Sequence, residues 1–274
     1  MGIKKFRPIT PGTRFAELMT FEGLTKIKPE KSLMTSLPKR GGRNNYGRIT
    51  VAARGGGHKR CYRIIDFGYS KKGLNGTVET IEYDPNRSGR IALIRWDDGE
   101  KTYFVAPGGI VPGTSIQSGP SAKIETGNSM PLKNVPLGSE VYCVEMEPGR
   151  GAKIARSAGI AAMVEAKDAG FVHLKMPSGE VRLIKEECYA TLGKVGNAEH
   201  ENVSLGKAGK NRYKGRRPKS RAVVKNPVDH PMGGGEGKSS GGRNPCSAWG
   251  QIAKGLKTRR KKKPSGSLII KRRK

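Results

Sequence analysis

The feature that most constrains this chain is where its charge lies. Residues 1–60 carry 14 Lys+Arg and 3 acids, a net +11, and residues 201–274 carry 22 and 3, a net +19. Residues 61–200 carry 17 of each sign. The whole excess of +30 therefore sits at the two ends, while ten of the 16 aromatic residues lie in the neutral middle. A 74-residue segment at +19 repels itself and has little apolar side chain to collapse on. Extended, it reaches on the order of 200 Å, at about 3.3 Å per residue. This pattern predicts a globular middle with two basic arms. The fitting partner for such arms is an anionic polymer whose helices they thread between.

The first arm, residues 1–60, shows no sustained period and is punctuated by Pro8, Pro11, Pro29 and Pro38. Its run from Lys39 to Arg48 mixes Arg43 and Arg48 with glycine and one ring, Tyr46, and Lys59 and Arg60 close the arm. We read these cations as RNA contacts, against the alternative of a solvated tail.

From Cys61 the pattern changes to short strands. Cys61–Phe67, Gly76–Tyr83, Ile91–Trp96, Lys101–Val105 and Ile110–Ile116 are predicted, with a hairpin turn at Asp97–Glu100. Five short strands with Gly- and Pro-rich loops suggest a small barrel over residues 61–122. After a connector at Lys123–Pro136 comes a second set: Glu140–Met146, Ala161–Lys167, Gly170–Met176, Glu180–Ile184 and Ala190–Val195. Their spacing suggests an SH3-like barrel over 123–200, with a two-sheet sandwich as the alternative. The class is mainly β, with irregular basic extensions at 1–60 and 201–274.

Two loops break the neutrality of the middle. Asp84–Arg90 carries Arg87 and Arg90, and Gly149–Gly159 carries Arg150, Lys153 and Arg156 with no acid. Arginine suits phosphate because its planar fork donates two parallel hydrogen bonds. In the last arm, Arg212, Arg216, Arg217 and Arg221 precede the stretch Asn226–Asn244. Six of the ten residues from Gly233 to Gly242 are glycine. Gly233, Gly234 and Gly235 offer bare backbone, and His230, Lys238 and Arg243 flank them. Such a segment gains almost nothing from burial and loses much backbone entropy on ordering, so a partner must order it.

His230, with Asp229 and with Ser239 or Ser240, invites a hydrolase or transferase reading. Pro231 biases His230 to extended backbone, where Asp229 points to the other side, and the serines sit in glycine-rich chain. We therefore expect no catalysis. A phosphate-binding P-loop fails because its first glycine would fall on Met232. His58 and Cys61 have ligand spacing but no second pair nearby, so no metal site is expected. Cys61, Cys143, Cys188 and Cys246 read as free thiols of a reducing compartment. The longest apolar run, Ala158–Val164, is too short to span a membrane, and Met1–Pro8 has no apolar signal core. Tyr46, Tyr213 and Trp249 stand in the arms, suited either to stack on unpaired bases or to pack on the barrels. Arg259–Lys263 and Lys271–Lys274 are bare charge runs that identify a polyanion without saying which. A DNA-architectural protein is the remaining rival.

Several stretches resemble the bacterial form of the large-subunit ribosomal protein L-two family. They are Phe6–Arg14, Gly41–Asn45, Gly55–Arg60, Glu82–Arg87, Ala155–Gly159 and Asn226–Gly237. The resemblance runs in register over essentially all 274 residues. It implies an OB-fold first barrel, an SH3-like second barrel and primary binding of large-subunit ribosomal RNA. It implies a role in subunit association, tRNA binding and peptide-bond formation, near tRNA, the small-subunit interface and neighbouring ribosomal proteins. The location implied is the cytoplasmic ribosome. It also implies direct RNA contact by Arg87 and Arg156, and a histidine, His230, close to the peptidyl-transfer region without supplying catalysis. No cofactor is expected, and any Mg2+ would accompany the RNA.

Overall fold

The structure, a computed structural model, describes residues 2–25 and 28–273; Lys274, the end of one charge run, lies outside them. The chain divides into two compact units. The first comprises residues 1–38, 59–208 and 267–274, and the second residues 39–58 and 209–266.

The first unit is built from strands. In chain order they begin with β1 (Ile3–Lys5), β2 (Ala16–Met19), β3 (Met34–Ser36), β4 (Cys61–Arg63), β5 (Asn75–Glu82), β6 (Ile91–Trp96), β7 (Lys101–Val105) and β8 (Ser115–Gln117). Next come β9 (Ser129–Pro131), β10 (Glu140–Tyr142), β11 (Val144–Glu145), β12 (Ala152–Ile154), β13 (Ala162–Asp168), β14 (Phe171–Lys175), β15 (Val181–Lys185) and β16 (Tyr189–Leu192). The last two are β17 (Ser204–Leu205) and β18 (Ile269–Lys271).

The first barrel, the OB-fold, is the sheet β7-β6-β5-β8, and a parallel bridge from Ile65 to Tyr103 brings the chain after β4 alongside β7. Its central strand reads Ile-Ala-Leu-Ile-Arg-Trp, an apolar run rather than an alternation, and the packing shows why. Ile91 and Leu93 face a core with Tyr103 and Val105, while Ala92, Ile94 and Trp96 face another with Val78 and Ile116. Burying each such aliphatic side chain contributes about 1.5–3 kcal/mol. A register shift between Val78 and Thr80 bends β5 as a closing sheet requires. The β6–β7 turn closes with Gly99 at φ 82°, its amide donating to the Trp96 carbonyl at 2.9 Å.

The second barrel, SH3-like, is the sheet β18-β15-β14-β13-β10-β16-β9 with the small hairpin β11-β12. Its core includes Val141, Val164, Val172, Leu174, Ile184 and Ala190. Asp168 pairs with Phe171, and the two residues between, Ala169 and Gly170, have φ 46° and 80°. That is the left-handed, two-residue connection whose twist matches the strands it joins. Tyr142, Cys143 and Ala152 of this barrel share a core with Ile91 and Tyr103 of the first, and the Tyr142 hydroxyl donates to the Val105 carbonyl at 3.0 Å.

Several expectations need correction. Ile110–Ile116 is not one strand: Val111–Thr114 form a turn closed by Thr114 N donating to the Val111 carbonyl, and only Ser115–Gln117 pair with β5. Glu140–Met146 is broken at Cys143, whose φ of 48° separates β10 from β11. The connector Lys123–Pro136 contains β9, and the loop Gly149–Gly159 contains β12. The arms also return strands to the first unit. β1 and β17 flank β2, β3 pairs with β4, and β18 lies along the edge of β15. Strands of two to four residues are too short to leave a period in the sequence.

The second unit carries the helix α1 (Ala208–Tyr213), 3-10 turns and isolated bridges such as Arg54 to Arg216. Among its described residues, His230 alone is buried.

Candidate nucleic-acid interface

In the first unit the site is built on Phe67, a half-buried ring on the segment that leaves β4. The Phe67 carbonyl accepts the Ala152 amide at 2.7 Å, which ties this segment to β12. The guanidinium of Arg156 lies 4.8 Å from the ring centroid and that of Arg87 lies 5.6 Å from it. Two cations from separate loops, 69 residues apart in sequence, thus converge on one aromatic ring.

Asp84, fully buried, sets the Arg87 loop. One carboxylate oxygen accepts the Asn86 amide at 2.9 Å, and the other accepts Arg87 Nε at 2.7 Å. Arg63 stands 4.0 Å from the same carboxylate; it was not among the candidates, because nothing in a three-residue strand marks it. Holding Arg87 at Nε leaves its Nη donors for a partner. Arg156 is exposed, with one Nη hydrogen bonded to the Ala152 carbonyl at 3.3 Å. The second loop is held by Glu145, whose buried carboxylate accepts the amides of Gly151 at 2.9 Å and Tyr189 at 3.0 Å. An open cavity of about 550 Å³ borders Phe67 and is also lined by Asp66, Gly149 and Arg150.

The other candidates of the first unit differ. Arg90 is only 3% exposed, its guanidinium between Phe21 at 5.3 Å and Tyr83 at 5.4 Å. Its Nε and one Nη have no hydrogen-bond partner among the described residues, and burial lowers its pKa. Arg150 is exposed but paired with Glu147 at 2.9 Å, just outside the loop we read as free of acid. Lys153 and Lys59 are exposed and Arg60 is half-buried. Burial pushes the thiols of Cys143 and Cys188 up to about 12, and for Cys143 that outweighs the opposing pull of Arg156 and Arg87. All four cysteines are free thiols.

In the second unit, Asn44 makes a turn by accepting the amides of Tyr46 and Arg48, each at 3.0 Å. That turn displays Arg43, Arg48 and the 82% exposed Tyr46. Arg212, Arg216, Arg217, Arg221, Lys238 and Arg243 are exposed as well. His230 is not. Its Nδ1 accepts the Met232 amide at 3.1 Å, its own amide donates to the Asn226 carbonyl at 3.2 Å, and its ring is buried. Gly233 is packed rather than open, since a Cβ there would lie 2.4 Å from the Lys225 carbonyl oxygen and 2.6 Å from that of Asn226. Gly234 and Gly235 have φ 100° and 87°, which side-chain-bearing residues rarely adopt.

Among the described residues, no three His, Cys, Asp or Glu side chains gather to hold a metal ion, and no helix is long and apolar enough to cross a membrane.

Two family models match the chain. The one described as Ribosomal Proteins L2, RNA binding N-terminal domain, matches residues 30–118, and the one described as Ribosomal Proteins L2, C-terminal domain, matches residues 125–250. The chain belongs to the ribosomal protein L2 family. It is an RNA-binding, structural protein of the large ribosomal subunit, with ribosomal RNA as its partner and the ribosome as its location. The matches take in the Asn44 turn, Phe67, Arg87, Arg156 and the His230 arm, so the L2 family relation spans barrels and arms alike.

Proposed function

We propose that this chain is a primary binder of large-subunit ribosomal RNA that grips phosphate through Arg87 and Arg156. The observation that carries the reading is their convergence on Phe67, one tethered by the buried Asp84 and the other exposed. The exposed arginines of the second unit would then lace nearby RNA helices, beside neighbouring ribosomal proteins and in a cytoplasmic ribosome. In this role the protein supports subunit association, tRNA binding and peptide-bond formation by shaping RNA, and takes no chemical step itself. Support for that last point comes from the His230 arm. The His230 ring is buried with Nδ1 already accepting a backbone amide, and Ser239 Oγ donates to the Glu236 carbonyl at 3.0 Å.

The test is a salt titration of rRNA binding by the full-length chain. Log affinity should fall with log salt by about 0.7–0.9 per phosphate neutralised, and Arg87→Ala or Arg156→Ala should each reduce that slope by about one such increment. Unchanged slopes in both variants, or a preference for duplex DNA over structured rRNA, would remove the reading.

A further inference from the structure

The second unit holds an open cavity of about 580 Å³ that brings His58 to Tyr213, one of the arm rings suited to stacking on a base. Gly55, Gly56 and Gly57 line it together with Arg212 and Arg217. Backbone bonds assemble it from both arms. Gly55 N donates to the Gly215 carbonyl at 3.1 Å, His58 N to the Tyr213 carbonyl at 3.1 Å, and Arg217 N to the Ala53 carbonyl at 3.0 Å. Gly57 must be glycine for the chains to cross, because a Cβ there would lie 2.7 Å from both Gly215 N and the Tyr213 carbonyl oxygen. At Gly56 a Cβ would meet nothing within 4 Å.

Two kinds of recognition chemistry are left unused there. The rings of His58 and Tyr213 stand 5.5 Å apart at 59°, and Tyr213 remains 54% exposed. Among the described residues, the amides of Gly56 and Gly57 donate to no group, and Arg212 and Arg217 pair with no carboxylate. Cations and free amides without an acid call for an anion, and an exposed ring calls for a flat π-surface. A nucleotide joins both in one molecule, and the volume lies in the range of ordinary small-molecule sites, roughly 300–1,000 Å³.

We propose that this cavity holds one unstacked nucleotide of the bound RNA, with its base against Tyr213 and its phosphate at Arg212, Arg217 and the Gly56–Gly57 amides. The inference rests on the rRNA-binding reading above, and adds to it a site that reads a base face as well as a charge.

The experiment measures binding of large-subunit rRNA to the full-length chain as a function of salt, for wild type, Tyr213→Leu, Tyr213→Phe and Arg217→Ala. Tyr213→Leu should weaken binding roughly 5- to 150-fold, the range for a base stacked on one ring, with the salt slope unchanged. Tyr213→Phe keeps the ring and should bind as wild type. Arg217→Ala should lower the slope by about 0.7–0.9. In assembled large subunits carrying 5-iodouridine in their RNA, photocrosslinks should map to Tyr213 or His58. The proposal is overturned if Tyr213→Leu binds like wild type, if Tyr213→Phe loses as much as Tyr213→Leu, or if crosslinks map only elsewhere. Wild-type binding that ignores salt would sink the rRNA-binding reading instead, so the two failures are distinguishable.

Discussion

Strand β6 and the loop Lys225–Gly235 are both closely packed, but on different things. Ile91, Leu93 and Ile94 are at most 1% exposed and touch side chains on both faces of their sheet. At Gly233 the carbonyls of Lys225 and Asn226 leave no room for a Cβ, and the Gly234 amide donates to the Lys225 carbonyl at 2.9 Å. Removing apolar area from water stabilises the first without help, whereas packing backbone on backbone in a glycine-rich loop removes very little. The barrels can therefore hold their shape alone. The glycine loop has a definite shape to offer but little energy to keep it, which suits a segment that RNA completes.

That contrast is broken or sharpened by four measurements. The largest effect is expected for Leu174→Ala, which opens a cavity in the fully buried core of the second barrel and should cost about 2–5 kcal/mol in urea unfolding. A loss below 1 kcal/mol would mean the barrels are not held by their cores. Next is Asp84→Ala, which strips Arg63 and Arg87 of their carboxylate. It should cost about 1–3 kcal/mol by the same measurement and weaken rRNA binding as well. Full rRNA affinity in that variant would show that Arg87 does not need its tether. Gly233→Ala should leave barrel unfolding within about 0.5 kcal/mol of wild type, as for changes away from the core. It should nevertheless weaken rRNA binding and expose residues 225–235 to protease in the assembled particle. A drop in barrel stability would tie the two units together energetically. The smallest effect is on thiol chemistry. At pH 8, exposed Cys61 and half-buried Cys246 should react with a thiol reagent, while Cys143 and Cys188, held up near 12 by burial, stay protonated and inert. Labelling of all four in the folded protein would contradict the buried cores.

The sequence marked parts of the site because charge and glycine are visible without coordinates. Arg87 and Arg156 stood out as cations in a neutral middle, and Ile91–Trp96 and Lys101–Val105 stood out as short strands flanking a hairpin turn. Phe67, the ring on which those two arginines meet, gave no such signal, since an aromatic residue at the end of a strand looks like any core residue. Arg90 and Arg87 are equivalent in the sequence, three residues apart on one loop. Only packing separates them, laying one against a half-open ring and enclosing the other between Phe21 and Tyr83. His230 likewise read as part of an open glycine arm, yet it is buried, with its backbone and its Nδ1 both hydrogen bonded within the turn from Asn226 to Gly233.

By itself the sequence determined which regions carry charge, which can build a core and where backbone must be free of side chains, because these properties belong to single residues and their near neighbours. The tertiary structure decided which of those residues meet. The pairing of Gly55–His58 with Tyr213–Arg217, the strand that Ile269–Lys271 adds beside β15 and the two arginines on Phe67 all join segments dozens of residues apart. Contacts of that range depend on chain closure and mutual fit, and no local pattern encodes them.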